Sequence, residues 1–328
     1  MRAPGFWVGG GGIAPLLLSP FSAIYASATA RRMARSGWRA PVPVICCGNA
    51  TAGGAGKTTV ALDIGRRLAD RGVNAQFLLR GYGGNLKGPA LVNPDTHDST
   101  QVGDEALLLA AVRPTWVSAD RGAGAQAAVA AGAQAIVMDD GLQNPTLEKD
   151  LSLLVIDGSY GFGNGRVIPA GPLRESVAAA AGRSHAAVLI GPDEVGALAQ
   201  LPPGLPVLRA RLVAGPEAAL LAGQPVFAFC GIANPAKFFA TLQEVGAVLA
   251  GREAFADHYP YDEAELKDLL AQAEALRAVP VTTRKDFVRI PPAYRARVTV
   301  VSVALAWEEA AAIESLIDPL AARVPVPA

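Results

Sequence analysis

The segment from Val42 to Thr59 constrains the fold of this chain more than any other stretch. The apolar run 42–47 is bounded by prolines and by Gly48, and it predicts a buried strand. From Lys57 onward, apolar residues at four-residue spacing predict a helix that stops at Gly72. Small residues fill the loop between them. A strand, a small-residue loop and a helix in this order predict an α/β fold with a binding loop at the end of a strand.

The loop has the composition of a phosphate-binding P-loop. Backbone N–H groups of residues 53–58 can close around phosphate oxygens because no large side chain intervenes, and the helix N-terminus adds its positive end. Lys57 would bridge the β- and γ-phosphates of ATP, and the Thr58 hydroxyl would ligate Mg²⁺. Thr51 stands where the usual pattern has Gly, and an ordinary glycine-rich turn with a solvated lysine is the alternative. The predicted nucleotide-binding residues are Thr51, Ala52, Gly53, Gly54, Ala55, Gly56, Lys57 and Thr58.

Composition narrows the class of protein. The 328 residues, half of them hydrophobic, suffice for two domains, and 29 basic residues balance 29 acidic ones. This balance argues against a general nucleic-acid binder, and no obligate protein partner is evident. The three cysteines lie in apolar runs without CxxC spacing, which indicates a reducing compartment. Because three histidines cannot form a zinc site by spacing, the expected metal is Mg²⁺ on oxygen ligands.

The N-terminal segment, residues 1–40, has the pattern of a membrane-interface element. Residues 3–30 carry no charge, and Arg31, Arg32, Arg35 and Arg39 follow together. Glycines and prolines make a poor spanning helix, whereas Phe21, Ile24, Tyr25 and Ala28 share one helical face suited to interfacial insertion. A signal peptide, weakened by an n-region with only Arg2, and a helix packed on the protein itself are the alternatives.

Strands and helices alternate along the rest of the chain. Apolar runs at 75–79, 115–118, 135–138, 153–156 and 187–190 predict strands, with helices between several of them. This alternation predicts a mainly parallel sheet covered by helices. The proline-rich stretch 201–206 suggests a boundary. We therefore predict a P-loop domain at 41–205 and a smaller α/β domain at 206–328 that includes connecting strands and a closing helix from Trp307.

Several polar residues are candidates for chemistry. The strand at 135–138 ends in Asp139 and Asp140, which beside a P-loop are candidate Mg²⁺ ligands, although they could be turn residues before a glycine. Asp104 opens a predicted helix and could simply be an N-cap. His258 lies in an aromatic loop and could equally be a packed histidine. The residue types alone leave these alternatives open.

A set of short motifs runs in order along the chain: Gly48–Thr58, Arg80–Gly83, Val102–Glu105, Met138–Gln143, Gly161–Arg166, Pro169–Glu175, Asp257–Tyr259 and Lys285–Asp286. Taken together, these motifs resemble those of the tetraacyldisaccharide 4′-kinases, also called lipid A 4′-kinases. The resemblance covers nearly the whole chain, because the apolar N-terminus fits as well.

The resemblance implies transfer of the γ-phosphate of ATP, with Mg²⁺, to the 4′-hydroxyl of an acylated glucosamine disaccharide 1-phosphate. The product would be the 4′-phosphorylated lipid A precursor of lipopolysaccharide biosynthesis, made at the cytoplasmic face of the inner membrane. It further implies that Asp104 orients or deprotonates the sugar hydroxyl with His258 as its partner. Asp139 and Asp140 would serve the metal and phosphates, and Arg174 and Glu175 would line the site.

The chain departs from the family pattern at Leu142, Asn144 and Gly84, where an aromatic residue, a histidine and a basic residue are usual. Two other functions stay open from the sequence. A soluble P-loop kinase for a small metabolite would be fully active without residues 1–35. A nucleotide-switch GTPase would need an Asn-Lys-x-Asp motif, which Thr283–Asp286 does not supply.

Overall fold

The computed structural model describes residues 4–9 and 12–324. Residues 1–3, 10, 11 and 325–328, which belong to the predicted N-terminal segment and to the end of the predicted second domain, lie outside the described residues. The strands are β1 Val44–Gly48, β2 Ala75–Leu79, β3 Ala90–Leu91, β4 Thr115–Val117, β5 Ala135–Asp139, β6 Leu151–Asp157, β7 Ala186–Ile190, β8 Val207–Ala214, β9 Pro225–Cys230, β10 Val248–Ala254, β11 Val279–Thr283, β12 Thr299–Val301 and β13 Val303–Trp307. The α-helices are α1 Ile13–Met33, α2 Lys57–Asp70, α3 Ser99–Val102, α4 Asp104–Ala110, α5 Arg121–Ala130, α6 Val177–Ala181, α7 Pro235–Glu244, α8 Glu263–Ala275, α9 Arg284–Phe287, α10 Pro292–Arg295 and α11 Ala310–Ala321.

The larger sheet has nine strands in the order β13-β8-β7-β6-β1-β5-β2-β4-β3. The pairings from β8 through to β4 are parallel, and the end strands β13 and β3 pair antiparallel. The central strands are buried along their whole length, because helices cover both faces of the sheet. Since β1 lies between β5 and β6, its carboxyl end is the point at which ligands bind in such sheets.

The smaller sheet contains four parallel strands in the order β10-β9-β11-β12. Helix α7 packs on one face through Phe238, Phe239 and Leu242. Helix α8 packs on the other face through Leu266 and Leu269. The second α/β unit has its own two-layered core, and its strand ends carry the loop that contains His258 and the short helix α9.

The division of the chain between the two sheets differs from the predicted boundary at 206. Strand β8 pairs with β7, β13 pairs with β8, and α11 buries Ile313 and Ile317 in the core of the larger sheet. These elements had been expected to accompany the second domain. Strands β12 and β13 follow each other closely but lie in different sheets, and the closing helix predicted from Trp307 begins at Ala310 because Trp307 still belongs to β13. The smaller unit is thus inserted between Ala214 and Val303.

Unlike an ordinary surface helix, helix α1 buries hydroxyl side chains and exposes apolar ones. Its buried residues are spaced seven apart, Pro15, Ser22 and Thr29. The Ser22 hydroxyl donates to the Val167 carbonyl at 2.7 Å and accepts from the Ala170 amide at 3.1 Å. The outer face is apolar; the exposed residues include Leu16, Leu17, Phe21, Ile24, Tyr25 and Ala28. Within the described part of the chain, α1 is long and apolar enough to cross a membrane.

Candidate active site

The predicted P-loop lies between the carboxyl end of β1 and the start of α2. Gly56 has a left-handed backbone with φ 85°, and a Cβ there would lie 2.6 Å from Cδ1 of Ile190, so glycine is required. Lys57 Nζ folds back over the loop, donating to Asn49 Oδ1 at 3.1 Å and to the Gly53 carbonyl at 3.3 Å. Asn49 also donates to Thr51 Oγ1 at 3.0 Å, which gives the residue in place of the usual glycine a defined partner.

Asp139 and Thr58 meet at the edge of the sheet because Cys47 of β1 pairs with Asp139 of β5. Thr58 Oγ1 donates to Asp139 Oδ2 at 2.7 Å. The other oxygen, Oδ1, is buried and has no hydrogen-bond partner among the residues that the structure describes. Burial raises the pKa of Asp139 to about 7, although Lys57 and the Thr58 hydroxyl act in the opposite direction.

This pair of oxygen donors fits Mg²⁺. Among the described residues there is no group of three or more His, Cys, Asp or Glu side chains that could hold a metal ion. Mg²⁺ in phosphate sites commonly takes only one or two protein ligands and completes its shell with water and phosphate oxygens. The orphaned Oδ1 of Asp139 is the kind of buried acceptor that a cation satisfies. Thr58 and Asp139 are therefore the residues that would hold the ion.

Asp140 has a different environment from its neighbour. Its backbone is left-handed, with φ 58°, and its Oδ1 accepts from Arg174 Nη1 at 2.6 Å while its Oδ2 lies 3.8 Å from Lys57 Nζ. Burial acts to raise the pKa of Asp140, but the charges of Lys57 and Arg174 outweigh it, and the pKa is lowered. The pKa values of the two adjacent carboxyl groups are therefore shifted in opposite directions, and Asp140 lies between the side chains of Lys57 and Arg174.

The Glu175 side chain points into the protein and supports the P-loop. It is buried, and it accepts from Gln143 Nε2 at 2.8 Å and from Arg183 Nη2 at 2.5 Å. Gln143 Nε2 also donates to the Asn49 carbonyl at 2.8 Å. The chain Glu175, Gln143 and Asn49 therefore connects the segment after residue 170 to the P-loop.

Asp104 and His258 are in contact although 154 positions separate them. His258 Nδ1 lies 2.7 Å from Asp104 Oδ2. Asp104 is the first residue of α4, where Gly103 is the N-cap and no side chain caps the helix. His258 has a left-handed backbone, φ 61°, and its N–H donates to the Gly231 carbonyl at 3.1 Å. The hydrogen bond to Asp104 raises the pKa of His258 against the opposing effect of burial.

Further charges surround this pair. Lys285 Nζ lies 3.1 Å from Glu105 Oε1 and 3.4 Å from His258 Nε2. Arg289 Nε lies 3.2 Å from Asp104 Oδ2.

Sequence reasoning gave no role to Asn49, Glu105 or Arg289. For Arg289 no sequence signal existed, since its contact with Asp104 arises only where the two units of the chain meet.

The geometry defines a class of protein. A P-loop lysine, a threonine hydroxyl bonded to a strand-end aspartate, and a carboxylate–imidazole pair whose carboxylate comes from the first unit and whose imidazole comes from the second are the parts of a P-loop phosphotransferase.

The comparisons with known proteins identify the family. The profile of the tetraacyldisaccharide-1-P 4′-kinase family matches residues 14–321, and the chain belongs to this family. It is similar to the tetraacyldisaccharide 4′-kinase of Gluconacetobacter diazotrophicus, 58% identical over 97% of this chain and 98% of the relative. The enzyme of the same name from Rhodospirillum rubrum is 55% identical over 98% of each chain. The predicted family is therefore confirmed.

A solved structure supports the fold. LpxK from Aquifex aeolicus, crystallised in complex with ATP, superposes with a TM-score of 0.75 at 25% identity, covering 94% of this chain and 99% of that one. The predicted P-loop α/β fold is confirmed, and so is ATP as the nucleotide of a kinase. A nucleotide switch is not the function of this family.

Proposed function

We propose that the protein transfers the γ-phosphate of ATP to the 4′-hydroxyl of tetraacyldisaccharide 1-phosphate, giving the 4′-phosphorylated lipid A precursor. The observation that carries the proposal is the 2.7 Å contact between Asp104 and His258 in a chain that also carries the P-loop. One set of residues serves the donor phosphates and the other serves an acceptor hydroxyl. A phosphoryl acceptor with a positioned hydroxyl needs both sets.

On the phosphate side, Lys57 would exchange its contacts with Asn49 and Gly53 for phosphate oxygens. Asp140, which Arg174 also contacts, keeps a carboxylate next to Lys57. Mg²⁺, when bound, supplies charge neutralisation on the phosphates. Glu175 acts from behind the loop, holding Gln143 and through it the backbone of Asn49. These residues bind and orient the phosphates without covalent chemistry.

On the acceptor side, the 4′-oxygen attacks the γ-phosphorus, a new O–P bond forms, and the bond to the ADP oxygen breaks. The hydroxyl proton passes to Asp104, late in the step, because a carboxylate is a weak base for an alcohol. His258 donates its Nδ1 hydrogen to Asp104 Oδ2 and thereby orients that carboxylate. This hydrogen bond also raises the pKa of His258, which favours the imidazolium and places a positive charge beside Asp104.

Helix α1 supports a place of action at a lipid interface. Ser22 on its buried face bonds to Val167 and Ala170, whereas its exposed apolar face is free to enter a lipid interface, and the exposed Arg31, Arg32 and Arg35 lie at its carboxyl end. The acceptor is itself a lipid. Binding at the cytoplasmic face of the inner membrane brings cytosolic ATP and the membrane-borne acceptor to one site.

One assay tests the proposal. Purified full-length protein, labelled ATP, Mg²⁺ and tetraacyldisaccharide 1-phosphate in mixed micelles should yield labelled lipid, and the matched Asp104→Asn protein should yield far less. A wild-type protein that binds ATP but labels no lipid would refute the substrate. Removal of residues 1–35 tests the alternative of a soluble P-loop kinase for a small metabolite, because such an enzyme would keep full activity without them.

A further inference from the structure

Arg289 is a buried cation that touches the acid–base pair from outside the predicted site. Its side chain is 3% exposed, and its Nε lies 3.2 Å from Oδ2 of Asp104, the same oxygen that His258 contacts. Arg289 comes from the second α/β unit, directly after α9, whereas Asp104 starts α4 in the first. Asp104 therefore receives two partners from across the junction between the units.

The Nη atoms of Arg289 reach the loop that presents His258 and the Gly231 carbonyl to which that loop is hydrogen-bonded. Nη1 donates to the Tyr259 carbonyl at 2.9 Å, and Nη2 donates to the Gly231 carbonyl at 3.1 Å. The same Gly231 carbonyl accepts from the His258 N–H. His258 has an unfavourable left-handed backbone, which persists only where its surroundings fix it. One guanidinium thus contacts the Asp104 carboxylate, the carbonyl of the residue after His258, and the carbonyl that accepts from the His258 N–H.

Arg289 is itself held in place. Nη2 lies 3.0 Å from Asp286 Oδ1, and Asp286 is fully buried. Asp286 Oδ1 also accepts from the Tyr261 hydroxyl at 2.9 Å and from the Gly231 amide at 2.7 Å. Since the planar fork of arginine matches these acceptors at fixed angles, its position is defined independently of Asp104.

We propose that Arg289 is a positioning residue for phosphoryl transfer, which sets Asp104 and His258 in register when the two α/β units are packed together. This inference rests on the proposed function of the Asp104–His258 pair. Arg289 presents a positive charge to Asp104 while it fixes the His258 loop, so the acceptor hydroxyl meets a complete base only in the packed arrangement. Because Arg289 contacts Asp104 and the loop that carries His258, its loss should lower kcat and leave KM for ATP nearly unchanged.

The test uses full-length protein carrying Arg289→Gln or Arg289→Lys, each also combined with Asp104→Asn. Arg295→Gln is the matched control, because Arg295 donates to the Ile290 and Val288 carbonyls of the same segment and touches neither Asp104 nor His258. Loss of a residue that orients reacting groups costs about 10–100-fold in rate. Arg289→Gln should lower kcat in that range with KM for ATP changed by less than about twofold, and Arg295→Gln should leave kcat within about twofold.

The combined variants distinguish positioning from general support of the fold. If Arg289 acts through Asp104, Arg289→Gln should cost less than about twofold further in the Asp104→Asn protein. Arg289→Lys keeps a cation next to Asp286 and should recover part of kcat; if the glutamine variant does not fold, the lysine pair decides alone. Wild-type kcat in both Arg289 variants, or an equal loss with and without Asp104, would overturn the proposal. A wild-type protein inactive on the lipid would instead refute the proposed function.

Discussion

Asp139→Asn should stabilise the free protein increasingly as the pH rises, while it abolishes phosphoryl transfer. The carboxyl group is buried, and Oδ1 has no hydrogen-bond partner among the described residues. Burial raises its pKa from 3.8 to about 7. The folded protein therefore binds this proton more tightly than the unfolded chain does. Stability from this group is fully present below about pH 4 and is lost as the pH rises toward about 7.

The magnitude follows from the two pKa values. The difference between 3.8 and about 7 is about 3 pH units, and at about 1.4 kcal/mol per unit the ionised carboxylate costs about 4 kcal/mol. About 2 kcal/mol of this cost arises between about pH 5.5 and about pH 8. Asparagine has the same shape and carries no charge, so the variant is not destabilised by this ionisation. With about 2.1 cal/mol/K of unfolding entropy per residue over 328 residues, the melting temperature of the variant should gain about 3 °C on that of the wild type over this range.

The measurement is the free energy of unfolding in urea, or the melting temperature, for both proteins across this pH range without nucleotide or metal. Asp140→Asn is the control with the opposite sign. The pKa of Asp140 is lowered, so its ionised form stabilises the fold above its ordinary pKa, and its removal should destabilise the protein at neutral pH. If the free energies of unfolding of the wild type and Asp139→Asn run parallel with pH, then the ionised Asp139 carboxylate does not destabilise the free protein. That result would refute the interpretation that this buried carboxylate is kept in order to bind the cation.

The P-loop, the acid–base pair and the outer face of α1 each give one further test. Lys57→Ala should abolish transfer in a protein with unchanged circular dichroism, because the phosphates lose a positioned cation; normal turnover would contradict the P-loop assignment. Asp104→Ala and His258→Ala should each lower kcat by about 10²–10⁴-fold, with the double variant far less impaired than the product; multiplicative losses would show that they act separately. Leu17→Ser combined with Ile24→Ser should weaken vesicle binding and raise KM for lipid more than KM for ATP, whereas unchanged binding would leave α1 a purely structural role.

The phosphate half of the site was predictable because its signals are local. A buried strand, a run of small residues and Gly56-Lys57-Thr58 define a loop without reference to the rest of the chain. Asp139 ends another strand of the same parallel sheet, so its arrival beside Thr58 follows from the rule that carboxyl ends share one edge. The pattern could not show that Asp139 and Asp140 differ in charge, because that depends on burial and on Arg174.

The acceptor half could not be derived from the residues themselves. Asp104 looked like a helix cap and His258 like a packed loop residue, and only the family resemblance joined them. Their contact needs two units of the chain to pack together, which periodicity does not encode. Strand β10 was also missed, because it is a largely exposed edge strand with a register shift between Leu249 and Gly251. Similarly, β8 alternates buried and exposed residues, and its partners are decided by tertiary packing.

Ala214 and Val303 stand opposite each other where β8 and β13 begin and end their pairing. Opposed Cα atoms in such an antiparallel pair lie about 4.5–5.5 Å apart, a gap that a two-residue turn closes. For protein engineering, the segment 215–302 is therefore a cassette with adjacent ends. A chain shortened in this way would retain every residue assigned to the phosphates and lose both His258 and Arg289. Donor binding and the partners of Asp104 are therefore encoded in separable lengths of chain, and segment 215–302 can be exchanged without cutting the phosphate site.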